Sequence, residues 1–196
     1  LKCHEYGVPQ KRERLFIVGV KEGMYTFPEP EKERTHLRDI VKFSMEGTIR
    51  VDKCDFDFAA VPDNCIVADQ SNTDEARGAH PNLTLLAKDK NYTYKEKTYP
   101  RRLSFSKRDS SIHGEVVDIR NPSKTIICTY ARQPRLFVPI RNGTGNFLRC
   151  FTVNELKQIQ SFPENFVVCG NTTKQITQIG NAVPPLIIKK LCDKLF

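Results

Sequence analysis

Two arginines stand two residues apart in the segment Gln10-Lys11-Arg12-Glu13-Arg14. On an extended chain that spacing puts both side chains on the same side, so both can reach one pocket. A guanidinium is planar and permanently charged, which suits it to grip carbonyl or phosphate oxygens in a fixed geometry. A second segment, Gln178-Ile179-Gly180-Asn181-Ala182-Val183-Pro184-Pro185, has the makings of a ligand-binding turn. Gly180 allows another backbone to approach closely, and Asn181 tolerates an unusual backbone conformation. A turn that feeds a helix N-terminus presents free amides to a carboxylate or phosphate. Taken singly, the first segment also reads as a solvated charged loop and the second as a helix cap. Between them, Ile159-Gln160-Ser161-Phe162-Pro163 closes a helix and reads on its own as scaffold.

The chemistry of a partner is suggested by charge. The 196 residues carry 31 Lys and Arg against 23 Asp and Glu, a formal charge of +8 and a pI near 9.2. Nine of the basic residues and only three acidic ones fall between Arg101 and Arg141, so six of the eight net charges sit in one stretch. Releasing counterions from a nucleic-acid backbone turns such a cluster into salt-dependent affinity. The seven cysteines are scattered, with no Cys-x-x-Cys pair, which excludes a disulfide framework or a zinc site and fits a reducing compartment. No apolar run is long enough to span a bilayer and no signal-peptide pattern opens the chain, so a soluble protein is expected. The expected compartment is cytosolic or nuclear.

The elements that must position these groups follow from pattern. Leu15-Phe16-Ile17-Val18-Gly19-Val20 is an apolar, β-rich run expected to be a buried strand, with Tyr6 to Arg14 as the loop before it. Pro28-Glu29-Pro30-Glu31-Lys32-Glu33 marks a domain seam, and a short amphipathic helix is expected around Thr35 to Phe43. From Gly47 to Pro100 the expectation is loops and short strands. The runs Glu115 to Ile119, Thr125 to Tyr130 and Leu136 to Ile140 read as strands separated by Asn121-Pro122-Ser123 and Gln133-Pro134 turns. Thr152-Val153-Asn154-Glu155 is a capping box, with Leu156 and Ile159 facing inward and Pro163 ending the helix. A last helix is expected from Pro184-Pro185 through Ile187, Ile188, Leu191 and Leu195.

Taken together and in order, these segments resemble a known family. Tyr6 through Arg14 resembles the eighth motif of DNA cytosine-5 methyltransferases, Arg149 through Pro163 looks like the ninth, and Gln178 through Pro185 resembles the tenth. Asn121-Pro122-Ser123-Lys124-Thr125-Ile126 is a further family-like phrase in the variable stretch between them. The resemblance implies an α/β fold, the C-terminal portion of an S-adenosylmethionine-dependent methyltransferase fold with a small β-rich target-recognition domain. It divides the chain into 1–27, the end of the catalytic domain; 28–147, the recognition domain; and 148–196, helices that pack back on the catalytic domain. It also implies methyl transfer from S-adenosyl-L-methionine to C5 of a cytosine flipped out of double-stranded DNA, as in a restriction-modification methylase.

In that reading Arg14 reaches the flipped cytosine near O2, where a preorganised cation stabilises charge developing on the ring. Arg12 and Gln10 brace the loop, while Asn181, Ala182 and Val183 match the turn over the methionine end of the cofactor. Arg149, Thr152 and Glu155 are structural. The recognition candidates are Thr129, Tyr130, Arg132, Gln133 and Arg135, because Arg and Gln make bidentate contacts with guanine and adenine edges in the major groove. Arg101, Arg102 and Lys124 are the expected phosphate contacts. The family nucleophile follows proline, and none of the seven cysteines does; the glycine-rich cofactor turn and the Glu-Asn-Val segment are also missing. Together with Leu1 in place of an initiator methionine, this leads to the expectation of a truncated or split enzyme. The isolated chain should be inactive and need an N-terminal catalytic half, in the same chain or a separate subunit. The alternative is a noncatalytic DNA-binding specificity subunit or inactive homologue; retention of Arg14 and of the cofactor turn favours the enzyme. An RNA-binding protein rests on charge alone.

Overall fold

The computed structural model describes residues 1–53, 56–70, 78–81, 83–84, 91–94, 96–100, 103–108 and 113–195. Its architecture is a mixed sheet with helices on one face, an α/β arrangement. The sheet strands are β2 (Ile49–Arg50), β3 (Val67–Ala68), β6 (Leu103–Phe105), β7 (Gly114–Val116), β9 (Leu136–Asn142) and β10 (Gly145–Arg149). They run in the order β2-β10-β9-β7-β6, with β3 also paired to β9. The β9–β10 pair is antiparallel with Phe147 opposite Ile140, and β7 and β6 add in parallel. Outside this sheet, β4 (Asn91–Tyr94) and β5 (Lys97–Pro100) form a hairpin, and β1 (Gln10–Lys11) pairs in parallel with β8 (Ser123–Lys124).

Strand alternation sorts side chains onto two faces, and both faces here are buried. Leu136, Val138 and Ile140 of β9 and Phe147 of β10 point into one core, where α1 (Val153–Ile159) and α2 (Thr172–Asn181) supply Leu156, Ile159, Ile176 and Ile179. Phe137 and Leu148 point the other way, into a second core with Val51, Phe58, Val61, Cys65 and Leu83. A third, small cluster joins Cys3, Tyr6 and Val8 to Ile187 of α3 (Pro185–Cys192), which begins at the expected prolines and ends before Leu195.

Local signals hold best where the chemistry is local. Thr152 Oγ1 accepts the amide of Glu155, and the Glu155 carboxylate accepts the amide of Thr152, as a capping box requires. The same carboxylate meets Arg149 in a fully buried, two-pronged pair at 2.7 and 2.8 Å, and it also accepts the amide of Lys42. Arg149 completes the arrangement by donating to the carbonyls of Cys150 and Lys42.

Three expectations are corrected. Leu15 to Val20 forms no strand: Leu15 and Ile17 are 86% and 89% exposed, because backbone pairing with Leu1 and Lys2 ends at Arg14 and no described strand continues the ladder. Thr125 to Tyr130 is also not a strand; its backbone groups bond to Gln10, Arg12 and Thr177 side chains instead of a neighbouring strand. The helix around Thr35 to Phe43 shrinks to one 3-10 turn, Leu37–Asp39, with the Leu37 and Arg38 amides committed to Asn121 and Ile119 carbonyls.

Candidate active site

The three chemistry-bearing segments meet at one buried polar hub. Gln10 is wholly buried; its Oε1 accepts the Ile126 amide at 2.9 Å and its Nε2 donates to Gln160 Oε1 at 2.5 Å. Gln160, also wholly buried, passes both of its amide hydrogens on, to the carbonyls of Ile179 at 2.9 Å and Ala182 at 2.7 Å. Arg12 lies beside them and donates to the Ile126 and Gly180 carbonyls at 2.9 and 3.0 Å. Among the described residues no carboxylate bonds to this guanidinium, whose pKa burial lowers first and the charge of nearby Arg14 second. Backbone carbonyl dipoles are its counter-charge. Gly180 explains how α2 comes so close: a Cβ there would stand 2.5 Å from the Cys128 nitrogen and 2.6 Å from the Ile127 carbonyl carbon.

The expectation that Arg12 and Arg14 share one pocket is corrected. The Arg14 backbone is paired through both its amide and its carbonyl with Leu1, and Arg14 makes none of the hub's hydrogen bonds although its charge is felt at Arg12. Arg14 is half-buried, its NH1 donates to the Glu13 carbonyl, and it lines a cavity of about 530 Å³ with Leu1, Lys2, Glu5, Tyr6, Glu13 and Leu15. Lys11, between the two hub residues Gln10 and Arg12, projects into a groove of about 310 Å³ that it shares with Arg108, Lys124, Thr125, Ile127, Gln133 and Arg135. Thr125 fixes the rim by donating its hydroxyl to the Lys11 carbonyl.

The structure brings together Lys124, Gln133 and Arg135 in that groove, and Lys124 is held there by an ion pair with the buried Glu115 at 2.5 Å. Thr129 and Arg132 are exposed on the adjoining turn, where the Thr129 carbonyl accepts the Arg132 and Gln133 amides. Tyr130 is different. It also borders the groove, but its ring is nearly all in the core, and its hydroxyl donates to the Leu136 carbonyl while accepting the Phe151 amide; burial raises its pKa well above the usual value. A ring with both hydrogen-bond functions committed inside the chain is a structural group. Arg101 and Arg102 lie outside the described residues.

At the other end of the hub, Asn181 closes α2 as its last residue, helical rather than left-handed, and its side chain is exposed beside that of Val183. Ala182 is held from behind by Gln160. The expected set of free helix amides is corrected: Pro184 and Pro185 have no N–H, and the Leu186 amide donates to Ser161 Oγ at 3.2 Å. The turn offers side chains rather than a row of amides.

Sequence reasoning missed Gln160, Lys11, Arg108 and Ile127 as members of these sites. Gln160 lies four residues after Leu156, on the inward face of its helix, and a polar group at a core-facing position was the available signal. Lys11 betrays itself by alternation with Gln10 and Arg12. No cluster of potential metal ligands occurs among the described residues, nor is any described helix long and apolar enough to cross a membrane.

The whole chain, residues 1–196, matches the family model for C-5 cytosine-specific DNA methylase. It is similar to Type II methyltransferase M.NgoFVII of Neisseria gonorrhoeae, 29% identical over 199 residues that take in 97% of this chain and 47% of that protein. It is also similar to Type II methyltransferase M.MthTI of Methanothermobacter thermautotrophicus, 26% identical over 208 residues, covering 100% and 54% of the two chains. Type II methyltransferase M.SacI of Streptomyces achromogenes is 29% identical over 213 residues, covering 100% and 51%. The chain spans about half the length of these curated relatives. Among solved structures, the Entamoeba histolytica methyltransferase EhMeth superimposes with a TM-score of 0.47 at 13% identity, over 97% of this chain and 50% of that one.

Proposed function

Because this chain belongs to the C-5 cytosine-specific DNA methylase family, we propose that it is the C-terminal part of a DNA (cytosine-5-)-methyltransferase. It would supply the target-recognition region and one wall each of the cytosine and cofactor pockets. The observation that carries this reading is the buried hub, in which Gln10, Arg12 and Gln160 tie the Arg14 loop, the Ile126 segment and the Ala182 turn into one piece. The functional division is 1–27 for the end of the catalytic domain, 28–147 for target recognition, and 148–196 for the helices behind both. Residues from the last two ranges pack in one core.

Each group then has a chemical task. Arg14 lies beside the flipped cytosine and stabilises charge that moves onto the ring as a thiolate adds. No cysteine of this chain follows proline, so the thiolate belongs to a Pro-Cys loop in an N-terminal half. S-adenosyl-L-methionine, when bound, supplies the methyl group. The exposed side chains of Asn181 and Val183, with the gripped Ala182 between them, suit one wall at its methionine end. Duplex DNA follows the cationic groove. Lys11, Arg108 and Lys124 contact phosphates, while Gln133 and Arg135, with Arg132 and Thr129 on the adjoining turn, read base edges. Leu15 and Ile17 would be covered by the N-terminal half, which gives their exposed run a ladder partner.

The test is labelled methyl transfer from S-adenosyl-L-methionine to duplex DNA. The chain alone should transfer nothing, and mixing it with an N-terminal half that carries a Pro-Cys loop should restore transfer. In the restored enzyme Arg14→Ala should lower kcat by about a hundredfold or more. Arg132→Ala and Arg135→Ala should change affinity and sequence preference. Methyl transfer by the isolated chain would overturn the reading.

A further inference from the structure

We propose that Gln160 and Ser161 form a clamp that positions the cofactor turn, Ala182 to Pro184, from both of its ends; this rests on the cofactor reading given above. Gln160 holds the beginning of the turn. An α-helix leaves its last carbonyls short of intrahelical partners; at the end of α2 the Gln160 amide donates to the Ala182 carbonyl and to that of Ile179, which otherwise accepts only a long, shared bond from the Ala182 amide. Ser161 holds the far side, where its hydroxyl accepts the Leu186 amide in the first turn of α3.

The orientation of the Gln160 amide is fixed by what surrounds it. Ile126 N–H can only donate, so Gln10 must turn Oε1 toward it and Nε2 toward Gln160. Ile179 and Ala182 present carbonyls, which can only accept, so Gln160 must turn Nε2 toward them. Flipping either amide sets donor against donor or acceptor against acceptor in a site closed to water.

Ser161 carries a second, independent mark. The Phe162 amide donates to the Lys157 carbonyl and the Ser161 amide to the Gln158 carbonyl, which is the Schellman ending of α1. Its left-handed position, φ +63° at Ser161, is one that glycine occupies without strain. A serine there bears a conformational cost, which the bond between its hydroxyl and Leu186 offsets. Backbone strain of this kind is kept where it serves a site.

The clamp makes Gln160 and Ser161 positioning residues; neither touches the reacting atoms. It is tested in the full-length methyltransferase by equilibrium binding of S-adenosylhomocysteine, duplex DNA affinity, and kcat at saturating S-adenosylmethionine. Gln160→Glu keeps the shape but replaces the donor with an acceptor, and it should weaken S-adenosylhomocysteine binding by about tenfold. Ser161→Gly removes the hydroxyl and relieves the strained φ, so the variant folds at least as well as the parent. Its S-adenosylhomocysteine binding should nonetheless weaken by about threefold. In the Ser161→Gly variant, which leaves the hub bonds untouched, DNA affinity and saturated kcat should stay within about twofold, a split that general destabilisation would not produce. Unchanged S-adenosylhomocysteine binding in the folded Ser161→Gly protein overturns the clamp alone. Parallel loss of cofactor and DNA binding in Ser161→Gly also overturns it, since that is the mark of a structural role. If the parent enzyme binds no S-adenosylhomocysteine, the cofactor reading falls and the clamp with it.

Discussion

Replacing Gly180 with alanine should destabilise the protein, which is the reverse of the usual effect of that change in a helix. Gly180 lies inside α2, where alanine ordinarily gains about 1 kcal/mol over glycine. Here the added methyl would stand 2.5 Å from the Cys128 nitrogen, 2.6 Å from the Ile127 carbonyl carbon and 2.7 Å from Cys128 Cα, where ordinary contact begins at 3.4 Å. Every obstructing atom is backbone, so relief requires the two segments to part by about 1 Å. Neither yields easily. Ile126 is gripped at its amide by Gln10 and at its carbonyl by Arg12, Thr177 donates to the Cys128 carbonyl, and Arg12 also holds the Gly180 carbonyl. Overpacking of this order costs about 1–3 kcal/mol, and with the strongly held backbone placing the effect near the upper end, subtracting the helical gain leaves a net loss of about 2 kcal/mol. Equilibrium unfolding in urea measures it as a lower midpoint at unchanged slope. A Gly180→Ala variant as stable as the parent, or more so, would show that α2 and the Ile126 segment do not meet as described and would remove the basis of the hub.

Other outcomes follow from the same structure. Arg149→Met leaves Glu155 charged and buried without its partner, and the urea midpoint should report a loss of about 3–5 kcal/mol, more than the Gly180→Ala change produces. Asp118 is held down to about 2 from an ordinary 3.8, chiefly by the Arg120 side chain, which grips both carboxylate oxygens. A lowered folded pKa stabilises the protein above the unfolded value, so this contribution should fade as pH falls from 3.8 toward about 2, and Asp118→Asn should flatten that limb of the midpoint-versus-pH curve. Among the described cysteines, a thiol reagent at neutral pH should label exposed Cys169 and Cys192 first. Peptide mass mapping should find Cys65 and Cys150 protected, because burial pushes their thiols up to about 11 and about 12. Lys11→Ala should weaken DNA binding alike on all sequences and reduce the slope of log affinity against log salt by about one; an unchanged slope would take Lys11 out of the phosphate contacts.

How much was legible in the sequence depended on whether a residue's partner was near it in the chain. The Thr152 and Glu155 box, the prolines that open α3 and the β-branched run of β9 all involve neighbours, and all appear as read. Leu15 to Val20 has the composition of a buried strand, yet composition carries no information about where the ladder partner lies, and nothing described in this chain extends that ladder past Arg14. Tyr130 is singled out in the sequence only by its place just after the Thr125-Ile126 phrase; the fold reveals Leu136 and Phe151 as its hydroxyl's partners. Lys124 was readable as a cation but not as one already paired with Glu115. The tail of α1 read as scaffold because the groups Gln160 serves lie 19 and 22 residues further along the chain.

The polar character of the hub has a physical reason. A core of Leu and Ile at this junction would bury as much surface, but dispersion and hydrophobic contacts are nondirectional and tolerate small slides of one segment past another. Hydrogen bonds with one permitted polarity do not. Gln10, Arg12 and Gln160 aim six donations or acceptances at backbone atoms of residues 126, 179, 180 and 182 and at each other. Each backbone target lies within a few residues of either the cationic groove or the Asn181 turn. A shift of the groove against the turn would therefore strand several buried polar groups at once, at about 1–3 kcal/mol each. On the proposed function, fixing that separation would matter because a base held through one element must meet a cofactor held through another, and small misplacements of reacting groups slow a reaction steeply. The hub thus uses buried polar groups to fix geometry rather than to add stability. The distinction can be measured: replacing both Gln10 and Gln160 with apolar residues of similar size should cost less stability than the single changes combined, while the precision of methyl transfer should not recover.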